Sequence, residues 1–397
     1  MKKSGYSFLN EQAVLYRREL HRIPETGTDL PLTSSYLKKQ LTALGVPFVP
    51  NQKDSGLIAF LDTGTPGKTL AFRADMDALP VMEETGFPFA STNGNMHACG
   101  HDAHMAILLS TISYLKEHLH EFHGKFLFLF QTGEEISKGA LLMKAEPFFL
   151  AHKPDTVFGI HIGLLHPDVA TGQIGISPGL LMASYDKFHI HIEGKGCHGS
   201  TPDAGINPIS AGAAIISSLH TILGQEISSA ASACIAVCQI HGGSTYNCIP
   251  SECDLEGTIR ALSADMRSFL WQRVTEISEL TARSLRATAT VNIIPGAPAL
   301  INDPSTVSLL KKAAFSLFPE EDIVSPLSPI MVGEDFAEYL TDIPGAFFFL
   351  GAGNPKKDCI FPHHHPKFQI DEDVLWRGCA LFLEAARQAT YLFSCMT

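Results

Sequence analysis

The chain has 397 residues, of which 45% are hydrophobic, and it carries a formal net charge of −12. That length exceeds the ~250–300 residues at which a single core stops growing, so it predicts two domains. The acidic balance weighs against a nucleic-acid partner, since neutralising phosphates needs clustered Lys and Arg, and no stretch reaches the roughly 18 apolar residues of a membrane span.

The opening MKKSGYSFLN is basic but lacks the apolar segment of a secretion signal, which implies a cytoplasmic protein. Up to about Gly179 the pattern is α/β. Apolar runs at 57–61, 69–72, 125–130 and 156–161 read as buried strands, and 103–115 reads as a helix. Polar residues follow these runs at once: Asp75 and Asp77 after the second, Glu134 and Glu135 after the third, His161 at the end of the fourth. Open α/β sheets build their sites at such carboxyl ends. From about 183 the rhythm becomes strand (187–193), helix (207–223), strand (232–241), strand (253–262), helix (264–285) and strand (287–294), a split β-α-β order. An α/β pattern resumes near Pro304 and runs through a strand at 346–350 to a last helix at 373–392. Residues 183–296 therefore read as a ferredoxin-like insertion into one discontinuous domain, 1–182 and 297–397. The nine cysteines are odd in number and irregularly spaced, which opposes a disulfide framework; most read as buried, inert thiols.

The run Met96-His97-Ala98-Cys99-Gly100-His101-Asp102 offers one thiolate and two imidazoles within five positions, the ligand types of zinc and other transition metals. Its plain alternative is a polar turn before a helix. Glu134 and Glu135 leave a very apolar strand, where carboxylates are costly unless a cation compensates; the same dipeptide at Glu83-Glu84 reads as a solvated surface pair. Adjacent carboxylates can also divide labour, one ligating a metal and the other taking a proton from water. His161 alone is a core histidine or a ligand, and His363-His364-His365-Pro366 alone is an exposed loop or a metal-binding tract. Together with Cys99, His101 and Glu135 they fall just after strands of one sheet, which favours the metal.

At these residues the chain resembles the dinuclear metal amidohydrolases that include hippurate hydrolase, bacterial N-acyl-amino-acid amidohydrolases and plant auxin-conjugate hydrolases. The resemblance runs nearly end to end, through RADMDALP (73–80), MHACGHD (96–102), Glu134-Glu135, GIHIG (159–163), GKGCHGSTPDAGINPI (194–209), NCIP (247–250), GTIRAL (257–262), GEDFAEYL (333–340) and HHPKFQIDED (364–373). It implies a catalytic domain with a central mixed sheet flanked by helices, plus an inserted lid that also mediates homodimerisation. It implies two divalent ions per chain, zinc, manganese or cobalt, bridged by Cys99, with His101 and His161 completing one site and Glu135 and His364 the other. His364 is selected because the family's ligating histidine stands two positions before the proline. Glu134 would be the general base and His198 the oxyanion stabiliser, often supplied by the neighbouring subunit. Asn247 and Arg260 would bind the substrate, and Asp75 and Asp77 would orient the ligands. Thr132-Gly133 and Met105 depart from the residues usual at those positions.

The activity so implied is hydrolysis of a small N-acyl amino acid, acetyl, benzoyl or similar, to a carboxylate and a free amino acid. Three alternatives differ in chemistry. An aminopeptidase or dipeptidase of the same superfamily would use the same metals. A cysteine amidase with Cys99 as nucleophile would survive chelation. A metal-containing binding protein would show no turnover.

Overall fold

In the computed structural model, which describes residues 6–228 and 231–394, the chain divides into two compact units. The first takes in the chain up to Leu181, Ile301–Ser328 and everything from Asp335 onward; the second takes in Met182–Leu300 and Pro329–Glu334.

The first unit is built on an eight-stranded mixed sheet. At its centre Leu57–Asp62, Lys125–Gln131, Thr69–Asp75, Thr156–Gly163 and Gly345–Gly351 lie side by side in that order. The last four run parallel, and Leu57–Asp62 runs against them. Phe126 to Gln131 and every residue of Thr156–Gly163 are buried, which is why these strands read as continuous apolar runs instead of alternating ones. The helix His101–Glu117 packs against the sheet and against Leu9–His21 and Leu375–Ser394; the last of these also meets Pro304–Leu317. His101–Glu117 is buried on nearly every side, as a helix enclosed by neighbours must be. This mixed α/β architecture is the one the sequence pattern predicts.

Two differences from the expected boundaries matter for the site. Thr69–Asp75 extends three residues past the apolar run, so Asp75 closes the strand, and Thr156–Gly163 carries His161 inside it. The reason is side-chain pairing: Arg73 donates to Asp75, which lets a charged pair continue a buried strand. The ladder between these two strands ends at Arg73 opposite Gly159. Beyond that register their carboxyl ends no longer pair with each other.

The second unit holds a four-stranded antiparallel sheet in the order Ala233–Gly242, Glu252–Ala261, Ser184–Glu193, Thr288–Pro295. The helices Pro208–Thr221 and Ala264–Ser284 pack on it and on each other. Phe188, Ile190, Ile192, Leu255 and Ile259 face the helices and alternate with more open positions, the pattern of a sheet covered on one face. Asn207 and Ser263 cap the two helices by accepting the Ile209 and Met266 N–H groups.

Two smaller expectations fail. Glu83 is not a surface residue: its side chain is inaccessible and accepts from His21, the Thr85 hydroxyl and the Ser91 N–H, donors enough to offset burying a carboxylate. Only Cys99, Cys253, Cys359 and Cys379 of the described cysteines are buried, while Cys238 and Cys248 are exposed on the second unit; Cys395 lies outside the described residues. No helix among the described residues is long and apolar enough to cross a membrane.

Candidate metal centre

Four separate segments of the first unit meet near the carboxyl edge of its sheet. Cys99, His101 and His161 place a sulfur and two ring nitrogens within 4.8 Å of one another, and Cys99, Glu135 and His364 form a second group of the same kind. Cys99 belongs to both. Its sulfur lies 3.6 Å from His161 Nε2, and Glu135 Oε1 lies 3.5 Å from His364 Nε2 and 3.9 Å from His101 Nε2.

Local backbone geometry sets these directions. Between Cys99 and His101 the chain turns through Gly100 at φ 90°, a left-handed conformation costly for residues with a Cβ, and an added Cβ would come within 3.1 Å of Ile162. The helix then starts at His101, whose Nδ1–H donates to the Asp77 carbonyl at 2.8 Å, leaving Nε2 facing the cluster. The two Asp77 carboxylate oxygens accept the Glu134 and Glu135 N–H groups at 3.0 and 3.1 Å. One aspartate thereby fixes three of the site's residues.

The triple histidine run is resolved by packing. His364 alone of the three joins the cluster; it has a left-handed backbone, φ 66°, and its N–H donates to the Ala98 carbonyl at 2.8 Å. Such strain in a histidine persists where the surroundings enforce it. His363 accepts the Leu164 N–H at 3.2 Å and packs on the His161 and Phe368 rings. Burial pushes it down to about 3. His365 accepts the Lys367 N–H and stacks on Phe361.

The electrostatics of the cluster favour a cation. Burial, then the Glu135 and Glu134 carboxylates, push the Cys99 thiol well above its ordinary range. Burial likewise raises Glu135 to about 7. At His101 burial opposes charge, yet Asp75, Asp77 and Glu135 outweigh it and hold the ring at about 10. The field that keeps a proton on a fully buried imidazole would equally hold a cation. His101 Nε2 and Glu135 Oε1 are moreover buried without a hydrogen-bond partner, as inward-facing ligand atoms would be. The residues therefore fit metal ions at both groups. Glu134 is buried beside them, grouped with His101 and Glu135, and accepts the Asp335 N–H at 3.4 Å.

Sequence reasoning missed the layer behind. His104 donates from Nδ1 to Asp75 at 2.6 Å and accepts the Ile162 N–H on Nε2 at 3.0 Å. Arg73 bonds Asp75, Gln131 and Asp335, and Gln131 bonds Asp335 in turn. The available signal was charge: Arg73 and Gln131 sit in otherwise apolar strands and are fully buried, and buried charges are paired.

His198, Asn247 and Arg260 belong to the second unit. His198, on Cys197–His198, pairs opposite Cys248 and holds the Ser200 hydroxyl at 2.7 Å. Asn247 is adjacent, its carbonyl accepting the Gly199 N–H at 2.7 Å. Arg260 lies on a different sheet, opposite Tyr185, with its guanidinium over that ring and donating to the Met331 carbonyl.

The chain is 36% identical over 383 residues to an N-acetyl-L-cysteine deacetylase of Bacillus subtilis (strain 168), covering 96% of this chain and 89% of that one. It is 34% identical over 371 residues to an N-acetyldiaminopimelate deacetylase of Listeria innocua, covering 92% and 96%. Among solved structures, a putative aminohydrolase from methicillin resistant Staphylococcus aureus superposes with TM-score 0.87 at 30% identity, covering 97% and 98%. The Bacillus subtilis YXEP protein, described as a dinuclear metal binding peptidase, superposes with TM-score 0.79 at 32% identity, covering 96% and 98%. Residues 71–388 match peptidase family M20/M25/M40, and the chain belongs to that family.

Proposed function

We propose that this protein is a cytoplasmic amidohydrolase that cleaves the amide bond of N-acyl amino acids with two divalent ions per chain. The observation that carries the reading is the pair of ligand groups sharing Cys99, with the buried Glu134 carboxylate beside them; the deacetylases named above support the substrate class. Cys99, His101 and His161 would hold one ion and Cys99, Glu135 and His364 the other. Zinc, manganese and cobalt all suit this donor set. When bound, the ions supply Lewis acidity toward the amide carbonyl and the attacking water. A site built on a free thiol suits the reducing cytoplasm.

Glu134 takes a proton from the attacking water on its carboxylate as the water oxygen bonds to the amide carbon. The C–N bond then breaks, and Glu134 returns the proton to the departing amine, leaving a carboxylate and a free amino acid. His198 is assigned to stabilise the oxyanion, a contribution of about 3–4 kcal/mol for one well-placed donor. Arg260 is assigned to the substrate carboxylate, which suits a two-pronged donor, and Asn247 to substrate binding. These three assignments, and a homodimer in which the partner supplies His198, rest on sequence resemblance.

The deciding experiment strips the protein of metal, restores each ion in turn, and measures hydrolysis of acylated amino acids beside free-amine dipeptides. Turnover of the acylated set after reconstitution is the expected result. Preference for dipeptides would make the protein a peptidase instead, and turnover that survives chelation would favour Cys99 as nucleophile.

A further inference from the structure

The parallel strands Thr156–Gly163 and Gly345–Gly351 end in register, Gly163 opposite Gly351. The loops that leave them rise from the edge of the sheet that carries His161. Between these loops lies a cavity of about 410 Å³, walled by Leu164, Val169, Ala170, Pro355 and Ile360. Its one imidazole, His166, is already committed: Nε2–H donates to the Ser328 carbonyl at 2.9 Å and Nδ1 accepts the Asp168 N–H at 3.2 Å. No Asp, Glu, Lys or Arg lines it among the described residues. Ile360, half exposed at the rim, leaves a large apolar side chain in water.

The wall of the cavity touches residues that pack against the candidate metal centre. The Leu164 N–H donates to His363 Nε2, and the His363 ring packs 5.0 Å from the His161 ring. Gly163 makes this closeness possible, since a Cβ there would meet the His363 ring at 2.6 Å. Leu164 stands three residues after His161 and Ile360 four before His364, so each lies within about 10–14 Å of a candidate ligand even with the chain fully extended.

From this arrangement we infer that the cavity receives the acyl group of the substrate, and that the preferred acyl groups are medium-chain or aromatic ones. The inference rests on the amidohydrolase reading and narrows it. An N-acyl amino acid has one uncharged end. Its amino-acid half always carries a carboxylate, for which this lining has no donor cation; its acyl half is the part an uncharged, apolar wall accepts. Size supports the same choice. The volume falls within the range of pockets that enclose drug-sized ligands, and an acetyl methyl would leave most of it empty.

The test uses the metal-loaded protein and a fixed amino acid carrying acetyl, butanoyl, hexanoyl or benzoyl groups, with a second series holding acetyl constant and varying the side chain. Each methylene moved from water into an apolar cavity is worth about fourfold in kcat/KM, so hexanoyl should exceed acetyl by at least about tenfold. Ile360→Trp, an exposed position whose enlargement the fold tolerates, should cut the hexanoyl-to-acetyl and benzoyl-to-acetyl ratios at least about tenfold, and Leu164→Phe should act in the same direction. A flat acyl profile with acetyl substrate still hydrolysed overturns this assignment and leaves the amidohydrolase reading standing. So does a change by Ile360→Trp in side-chain preference alone. If no acylated amino acid is hydrolysed, both fall.

Discussion

Replacing His104 by alanine tests whether the layer behind the metal centre holds the ligands in place. The imidazole is buried, and burial pushes it below its ordinary range despite Asp75; it is neutral because Nε2 accepts the Ile162 N–H while Nδ1–H donates to Asp75. It thereby joins the two strand ends where their own ladder has stopped, one residue from His161. His104→Ala leaves the Ile162 N–H and Asp75 Oδ1 buried without these partners, and each orphaned group costs about 1–3 kcal/mol. Arg73 still holds the other Asp75 oxygen at 2.8 Å, so Asp75 keeps a counter-charge and the full penalty of an unpaired carboxylate is avoided. A total of about 2–6 kcal/mol for the two groups, against the 5–15 kcal/mol of a typical domain, predicts a folded protein with a lower Tm. The functional consequence is larger. Loss of groups that orient ligands typically weakens metal affinity 10–100-fold, and that loss should fall on the ion assigned to His101 and His161. Chelator-competition titration of the apo protein reads this directly. His104→Gln, which keeps a donor and an acceptor, should recover part of the affinity. Wild-type affinity for both ions in a destabilised His104→Ala protein would refute the reasoning and reduce His104 to packing.

Glu134→Gln should abolish turnover with metal retained, while Glu135→Ala should lose metal and activity together; metal content per chain distinguishes them, and the opposite pattern would reverse the two roles. Cys99→Ser should weaken metal binding, and bound metal should protect Cys99 from alkylation, so rapid modification of the active, metallated protein would contradict a bridging thiolate. His21 carries a pH signature: burial and Arg17 oppose its charge, but Asp102 at 2.7 Å and Glu83 at 3.1 Å outweigh them and raise it above its ordinary value of about 6.5. A raised histidine stabilises most below its unfolded pKa and loses that contribution as pH climbs through the folded one. The Tm advantage of wild type over His21→Asn should therefore be greatest below about pH 6 and shrink toward pH 9; an advantage that grows with pH would show the ring to be neutral. Finally, if a partner subunit supplies His198, dimers refolded from equal Glu134→Gln and His198→Ala proteins should recover full function at roughly a quarter of all sites, and verified mixed dimers without recovery would place His198 in its own chain's site.

Much of the centre was readable along the chain. The apolar runs at 69–72, 125–130 and 156–161 marked parallel strands, and a parallel sheet sends the residues after each strand to one edge. That is why Asp75, Glu134, Glu135 and His161 could be grouped before any distance was known, and why Cys99 and His101, at the head of a helix, joined them. Glu83 was misread for a complementary reason. Its exposure was judged from its acidic neighbour, yet His21, Thr85 and Ser91 converge on it only after the chain has folded.

By itself the sequence determined the α/β class, the change of rhythm at the inserted segment and the ligand types available, because hydrophobic period and residue chemistry are local properties. Tertiary structure alone decided which atoms meet. His364 enters the cluster and His363 does not because the His364 N–H is tied to the Ala98 carbonyl and the His363 ring is wedged between His161 and Phe368. His104, Arg73 and Asp335 gained their parts the same way, through partners distant in sequence. Three consecutive histidines differ little in chemistry; they differ in the direction each side chain takes, and that direction is set by packing between segments the chain brings together only on folding.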